Sequence, residues 1–202
     1  MTGLSRISPK RLRLNPNDAK AYSNRGVAYY GKGDCDRAIA DFTQALKLDP
    51  DYASAYNGRG NAYERKGDCD RAIADYNQAI KLDPNDADAY NNRGIAYGSK
   101  GDDRATADLT QAIKLDPNKA EAYYNRGNAY AKKGDYDQAV ADYTQALKLD
   151  PNDALAYSFR GAAYYFKGDY DRAIADCTQA LKLDPNDALA KKGLELARRR
   201  GR

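Results

Sequence analysis

Residues 120–153 read AEAYYNRGNAYAKKGDYDQAVADYTQALKLDPND, and close variants of this stretch recur along most of the chain. The proline near its end belongs to a series that advances in steps of 34, 34, 33, 34 and 34 residues. Its members are Pro16, Pro50, Pro84, Pro117, Pro151 and Pro185. Five copies follow, over 19–52, 53–86, 87–119, 120–153 and 154–187. A fixed period of this length predicts stacked structural repeats rather than one globular core.

Each copy contains two helix-length apolar patterns, which are separated by a Lys-Gly-Asp turn and closed by Leu-Asp-Pro. We expect the turn glycine to adopt the left-handed conformation that ends the first helix. The aspartate after it, and the Asn-Asp pairs before several first helices, can accept bonds from free backbone N–H groups. The aspartates are therefore interpreted as helix caps. No DxDxDG loop is present, so no metal site is predicted.

This pattern resembles the tetratricopeptide repeat, whose positions W-x2-L-G-x2-Y, A-x3-F and P have counterparts here. In the second copy they are Tyr56, Arg59, Gly60, Tyr63, Ala72, Tyr76 and Pro84. The resemblance spans 19–187 and implies an all-α fold, a right-handed α-solenoid of five helix-turn-helix repeats. We expect a short basic segment over 1–18 before the repeats, and a capping helix with a basic tail over 188–202 after them.

One departure from the family pattern recurs in all five copies, because arginine stands where leucine is usual. Each copy also has an aspartate in its second helix. Antiparallel packing of the two helices would place this aspartate at the same level along the helix pair as the arginine. The pairs are Arg25–Asp41, Arg59–Asp75, Arg93–Asp108, Arg126–Asp142 and Arg160–Asp176. Because a half-buried guanidinium without a partner is costly, we predict a ladder of Arg–Asp pairs inside the repeats. Ligand binding by these arginines is the alternative interpretation.

The third copy is one residue shorter than the others. The missing position lies at the entry to the second helix, where the other copies have Cys35, Cys69, Tyr136 and Tyr170. Two further differences follow it, since Thr106 replaces Ile or Val and Leu109 replaces the usual aromatic residue. The shorter turn indicates either a hinge or altered pitch at the centre of the array, or a neutral deletion absorbed in an exposed turn.

Charge is distributed unevenly along the chain, although the overall balance is +4. Residues 1–18 carry a net +3 and 188–202 a net +5, whereas the repeats carry a net −4. We therefore predict no nucleic-acid binding beyond a non-specific, salt-dependent contribution from the basic tails.

The sequence also indicates the cellular location of the protein. No apolar run is long enough for a membrane span, and the N-terminus lacks the apolar core of a secretory signal. Of three cysteines, Cys35 and Cys69 occupy the same position of neighbouring repeats, too far apart for a disulfide. These features predict a soluble, cytoplasmic protein with reduced thiols and no membrane partner.

The residues that usually carry catalysis are missing. The sequence contains no histidine and no nucleophile or phosphate-binding motif, so we expect neither an enzyme nor a cofactor. The resemblance instead implies a protein-interaction scaffold that binds a peptide or partner helix in a concave groove lined by the first helix of each repeat. The alternative is a structural or assembly protein that self-associates as a homo-oligomer by stacking through its repeat ends.

The family's groove positions, carried onto this sequence, supply candidate partner-binding residues. They are Asn24, Asn57, Asn61, Asn91, Asn92, Tyr124, Asn125, Asn128, Leu155, Phe159, Tyr165 and Phe166. The asparagines can donate to and accept from an extended peptide backbone, or they merely keep the surface polar. No fifth position of a copy is lysine, which argues against the family's lysine-and-asparagine clamp for a C-terminal carboxylate.

The candidate residues become apolar in the fifth copy. Together with Leu189 and Leu196 of the capping helix, they are expected to form an exposed patch beside Tyr124 and Asn128. An apolar patch with a polar rim is typical of a binding hot spot. The alternative is that the same side chains pack on one another and extend the core into the capping helix.

Overall fold

The computed structural model describes residues 16–201, and every regular element in that range is an α-helix. The predicted all-α fold class is therefore confirmed. The chain divides into two compact units, Met1–Arg104 and Ala105–Arg202. The basic segment predicted over 1–18 lies outside the described residues except for its last three positions.

Eleven helices occupy the described range. The first are α1 (Ala19–Gly31), α2 (Cys35–Leu48), α3 (Ala53–Arg65), α4 (Cys69–Leu82) and α5 (Ala87–Ser99). The others are α6 (Arg104–Leu115), α7 (Ala120–Lys132), α8 (Tyr136–Leu149), α9 (Ala154–Phe166), α10 (Tyr170–Leu183) and α11 (Ala188–Arg200). Each predicted copy therefore contains one odd-numbered helix and the even-numbered helix after it, and α11 follows the last copy.

Most of the helices begin and end where the sequence places capping residues, whereas α3 and α7 have no side-chain cap at their starts. The carboxylate of Asp18 accepts from the backbone N–H of Ala21 at 3.0 Å, and that of Asp34 accepts from the backbone N–H of Arg37 at 3.1 Å. The turn inside each repeat contains a glycine with φ between 71° and 81°. These glycines are Gly33, Gly67, Gly101, Gly134 and Gly168. Both capping predictions are confirmed at these residues.

In the first unit α1 packs on α2 and α3 on α4, while α2 and α4 also pack on the helix that follows each of them. Glycines permit these close contacts. A Cβ atom at Gly60 would lie 2.6 Å from the Tyr76 ring, and one at Gly58 would lie 2.6 Å from the Phe42 ring. Because no Cβ is present, the buried rings fill the space between closely approaching helices.

In the second unit α7 packs on α8 and α9 on α10, and α8 also packs on α9. The last helix, α11, packs on both α9 and α10 and buries Ala190 and Ala197. Its lysines and arginines remain exposed. α11 therefore covers the end of the last repeat with an apolar face and presents a basic face to solvent.

Arg–Asp pairs join the two helices of a repeat. Arg59 donates from Nε and Nη2 to the two carboxylate oxygens of Asp75, each at 2.7 Å. The same arrangement occurs in Arg25–Asp41, Arg126–Asp142 and Arg160–Asp176. The predicted ladder is thus confirmed in four repeats. These bonds raise the pKa of Arg59, although burial opposes its charge. Arg59 also donates to the Thr43 hydroxyl of the preceding repeat at 3.1 Å, a contact that the sequence pattern does not indicate.

The missing residue of the third repeat shortens its second helix. α6 has 12 residues, whereas the second helices of the other repeats have 14. Arg104 begins α6, donates from its backbone N–H to the Asp102 carboxylate at 2.9 Å and stacks its guanidinium over Tyr97. Leu109 replaces the usual aromatic ring and is 1% exposed. The deletion is therefore accommodated at the start of the helix, and the buried position remains filled.

Candidate partner-binding site

The groove asparagines of the first unit are largely engaged with one another. Asn57 donates to the Asp86 carboxylate at 3.4 Å and accepts from Nδ2 of Asn92 at 3.0 Å. Asn91 is 1% exposed and donates to Asn92 at 3.4 Å. Because Asp86 caps α5 and Asn57 lies on α3, this network joins neighbouring first helices. Asn24, on α1, is exposed.

A related bond occurs at the end of the second unit. The Ser158 hydroxyl donates to the Asp187 carboxylate, and both residues are buried. Oδ1 of Asp187 accepts from the backbone N–H of Ala190 at 2.9 Å, at the start of α11. The fifth position of a repeat, occupied by Asn57 or Ser158, thus binds the aspartate that caps the helix after that repeat. Counting along the sequence cannot reveal this role, since it depends on contacts between repeats.

Two asparagines are oriented by a tyrosine of the same repeat. The Tyr76 hydroxyl donates to Oδ1 of Asn61, and the Tyr143 hydroxyl donates to Oδ1 of Asn128, each at 2.7 Å. The residue type at the asparagine position of the first helix and the residue type at the tyrosine position of the second helix change together from repeat to repeat. The other repeats combine Phe42 with Val27, Leu109 with Ile95, and Cys177 with Ala162. The asparagine Oδ1 therefore accepts the hydrogen bond of a buried hydroxyl.

An apolar cleft of about 460 Å³ opens beside Asn128 in the second unit. Its lining residues are Asn128, Ala131, Lys132, Tyr136, Tyr143, Phe159, Ala162, Ala163, Phe166 and Leu189. Phe166 is 63% exposed and stacks on Tyr136, with ring centroids 5.1 Å apart and ring planes within 11°. Because α7, α8, α9 and α11 all contribute, packing of the last helix completes the cleft.

The apolar candidates from the sequence divide between this cleft and the core. Phe159 and Phe166 line the cleft, and so does Leu189 of α11. Tyr165 instead packs against Tyr170, with ring centroids 5.7 Å apart, in a cluster with buried residues of α9, α10 and α11. The structure therefore places Phe159 and Phe166 at the cleft and Tyr165 next to it, where the Tyr165 ring also packs edge-on against Phe166 with ring centroids 5.6 Å apart.

The remaining candidates of the second unit border the cleft or lie apart from it. Tyr124 packs edge-on against Phe159, with ring centroids 5.7 Å apart. Leu155 is 55% exposed, and Asn125 and Leu196 are half-buried. None of these four residues lines the cleft. Only part of the predicted patch is therefore contiguous with the cleft.

Two aromatic walls of the cleft, Tyr136 and Tyr143, come from α8 and were not among the candidates. Positions counted along first helices cannot identify residues of a second helix. Burial raises the pKa of Tyr143 well above its usual value, so its hydroxyl stays protonated and donates to Asn128 at physiological pH. Burial also raises the pKa of the Cys177 thiol to about 11, which keeps it protonated and unreactive at neutral pH.

Residues 16–201 contain no candidate metal site and no candidate membrane-spanning helix. In that range no three His, Cys, Asp or Glu side chains are grouped so that they could hold a metal ion. None of the described helices is long and apolar enough to cross a membrane. The three cysteines are present as free thiols.

Family models match the chain along most of its length. Models of the tetratricopeptide repeat match residues 12–53, 23–87 and 58–102, and also 120–153 and 154–187. A further model, described as TPR repeat, matches residues 102–134. No curated protein sequence matches the chain.

Solved structures of repeat proteins are similar to this chain. YrrB, a TPR protein with an unusual peptide-binding site, is 25% identical, with a TM-score of 0.71 and coverage of 96% of this chain and 100% of its own. MamA is 31% identical, with a TM-score of 0.70 and coverage of 81% and 96%. A thermophilic TPR protein of Thermus thermophilus, TTC0263, is 24% identical and shares the fold, with a TM-score of 0.72 and coverage of 89% and 98%.

Proposed function

Because the chain belongs to the tetratricopeptide repeat family, in general a non-enzymatic scaffold fold, we propose that it is a protein-interaction scaffold. The scaffold comprises the basic segment over 1–18, five repeats over 19–187, and the capping helix with its basic tail over 188–202. Its second unit binds an extended peptide in the cleft formed by α7, α8, α9 and α11. The peptide-binding site of YrrB supports a peptide as the class of ligand.

The exposed Phe166 ring beside the cleft is the observation that carries this proposal. A ring that is 63% exposed leaves apolar surface in water, and its burial by a partner contributes roughly 25 cal/mol per Å². Phe159, Ala162 and Leu189 provide further apolar surface next to it. Asn128 borders this surface with a hydrogen-bonding group. An apolar anchor site with a polar border is the usual composition of an interface hot spot.

Partner binding explains the exposure of these residues better than core packing does. Side chains that merely extend the core are buried, as Tyr164 and Cys177 are. Phe166 and Leu189, which both line the cleft, remain 63% and 38% exposed. Apolar side chains clustered in this way on a surface mark interaction sites. We do not count Tyr165 among the exposed anchors, because it is partly buried and packs against the core cluster that includes Ala197 of α11.

A library of random peptides tests the proposal. The peptides are displayed with their C-termini fused to a carrier, and selection on the full chain should enrich those with a bulky apolar residue. Phe166→Ala should weaken their binding by more than about 1 kcal/mol, as loss of a hot-spot anchor does. Val27→Ala is the matched control, since Val27 is 44% exposed on α1, and it should bind normally.

Thermal melting shows whether both variants remain folded. A library without enriched peptides would contradict the proposed function. Equal binding by wild type and a folded Phe166→Ala variant would contradict the proposed site.

A further inference from the structure

A second groove, separate from the cleft, lies between α10 and α11 and has a volume of about 330 Å³. We call it the end groove. Its lining residues are Leu181, Lys191, Leu194, Glu195, Arg198 and Arg199, and none of them lines the cleft. Leu181 and Leu194 are half-buried and pack against the cluster that contains Cys177, whereas the four charged residues are exposed. The end groove is therefore an apolar floor bordered by three cations and one carboxylate.

The position of the end groove indicates what kind of element fits it. α11 begins one repeat period after α9 and corresponds to the first helix of a further repeat. On α9, Arg160 bonds to Asp176 of the second helix, so this face of a first helix is the one that the second helix covers. The same position of α11 is Leu194, which lines the end groove. The end groove thus lies where the second helix of a repeat packs, and its shape suits a helix.

The charges of α11 are spaced regularly about this leucine. Lys191, Leu194 and Arg198 stand at i, i+3 and i+7, so a cation lies about one turn to each side of the apolar side chain on the same face. Arg199 adds positive charge at one end of the groove. Glu195 places one negative charge next to Leu194. A complementary helix therefore carries acidic side chains at both ends of the contact and an apolar, uncharged centre.

We propose that the end groove binds an acidic amphipathic helix of a partner protein. The helix lies antiparallel to α11, as the second helix of a repeat lies against the first. A bulky apolar residue of the partner packs between Leu181 and Leu194. Acidic side chains one turn before and one turn after it pair with Arg198 and Lys191. Because Glu195 repels a carboxylate at the centre, the expected pattern is acidic, apolar and acidic at i, i+4 and i+7.

The composition of the groove favours a protein partner over two other occupants. A nucleic acid contacts cations through its phosphates but has no aliphatic side chain to cover Leu181 and Leu194. The segment over 1–18 of the chain itself carries a net +3, which does not complement a basic groove. An acidic helix supplies both the carboxylates and the apolar residue. This inference goes beyond the proposed peptide binding in the cleft, because the two sites share no lining residue.

A designed helical peptide tests the proposal. The probe is an end-blocked, fluorescent, Ala- and Gln-rich peptide of about 20 residues, with Glu, Leu and Glu at i, i+4 and i+7. Fluorescence anisotropy, with the full chain as titrant, should show saturable binding. Replacement of the peptide's Leu by Gln should weaken binding about fivefold or more, as loss of an interface anchor does. Replacement of both Glu residues by Gln should weaken it about threefold to tenfold.

Matched charge changes on the protein locate the binding. Lys191→Glu combined with Arg198→Glu should weaken binding of the probe about tenfold, because two attractive pairs become repulsive. Lys192→Glu combined with Lys148→Glu makes the same change of net charge at exposed residues outside the groove, and binding should stay within about twofold. Phe166→Ala should bind the probe normally, since Phe166 lines only the cleft. Thermal melting confirms that the variants are folded.

Four results would overturn the proposal. They are no saturable binding of the probe, equal weakening by both charge-reversed pairs, equal binding after the peptide's Leu is replaced, and loss of binding in Phe166→Ala. The second and third results would indicate general attraction of polyanions to the basic tail. The last would place the probe in the cleft. A molecular mass that rises with protein concentration, and no longer rises in Lys191→Glu combined with Arg198→Glu, would instead assign the groove to a second copy of the chain.

Discussion

Gly127 on α7 lies against the Tyr143 ring of α8, and a Cβ atom at Gly127 would be 2.8 Å from that ring. Gly127→Leu should therefore push the two helices apart and lower the free energy of unfolding by about 1–3 kcal/mol or more, as overpacking does. Gly31→Ala is the control, because a Cβ atom at Gly31 meets nothing within 4 Å and alanine favours the helix. Urea denaturation measures both variants, and an unchanged midpoint for Gly127→Leu would contradict this packing.

The Arg126–Asp142 pair is mostly buried, with side-chain exposures of 18% and 7%. Arg126→Leu leaves the Asp142 carboxylate without this partner and should lower the free energy of unfolding by about 3 kcal/mol. Replacement of both residues by Leu should recover most of that loss, since no unpaired buried charge remains. Urea denaturation compares the two variants. A double variant as unstable as Arg126→Leu would show that the cost does not come from the unpaired carboxylate.

The Arg–Asp pairs were predictable from the sequence because both members recur with the repeat. The bond of Tyr76 with Asn61 and that of Arg59 with Thr43 were not predicted. Each of these hydrogen bonds depends on how side chains from two helices contact each other. The repeat period of the sequence gives no information about such contacts. A partial signal does exist for the first bond, since Tyr in the second helix accompanies Asn at the ninth position of a repeat.

At the scale of single helices, α6 departs most from the common pattern. It is two residues shorter than its counterparts, and Leu109 stands where α8 has Tyr143. We expect faster amide exchange in 103–115 than in 137–149, because a shorter helix with less buried surface opens more readily. Hydrogen exchange read by mass spectrometry measures both segments in one sample. Equal protection would support the neutral interpretation of the deletion.

Helix boundaries were predictable because capping residues mark them, but the exposed face of α9 was not. Adjacent residues on a helix point about 100° apart, so Tyr165 and Phe166 contact each other edge-on but differ in their other neighbours, although both occupy groove positions of the family. Phe166 lines the cleft, whereas Tyr165 packs against Tyr170. Which ring is exposed depends on where α11 packs, and the pattern of the repeats does not determine this.

At the scale of the whole molecule, the chain contains no histidine, so its melting temperature should change little between about pH 5 and 8. Hydrogen bonds with Arg104 lower the pKa of Asp102 to about 2, and those with Arg71 lower the pKa of Asp68. Such carboxylates stabilise the folded state above about pH 4, and the contribution is lost as the pH falls through the folded-state pKa. Thermal melts should therefore show a fall below about pH 4. A steady fall between pH 5 and 8 would contradict this.

At alkaline pH the stability of the fold changes in the opposite direction, because it falls as the pH rises. Because burial raises the pKa of Cys177 to about 11, its contribution to stability is complete below about pH 8.5 and is lost as the pH rises through 11. Cys177→Ala should reduce the decline of the melting temperature over this range, when each protein is compared with its own value at pH 7. An identical decline in both proteins would show that this thiol does not contribute.

The central claim is that the second unit docks a peptide in the cleft that Phe166 borders. Chemical-shift mapping of the isotopically labelled full chain, titrated with a selected end-blocked peptide, tests this claim most directly. We predict saturable shifts concentrated at Asn128, Tyr136, Phe159, Phe166 and Leu189, which line the cleft. Saturable shifts confined to residues of the first unit, with none at these five positions, would contradict it.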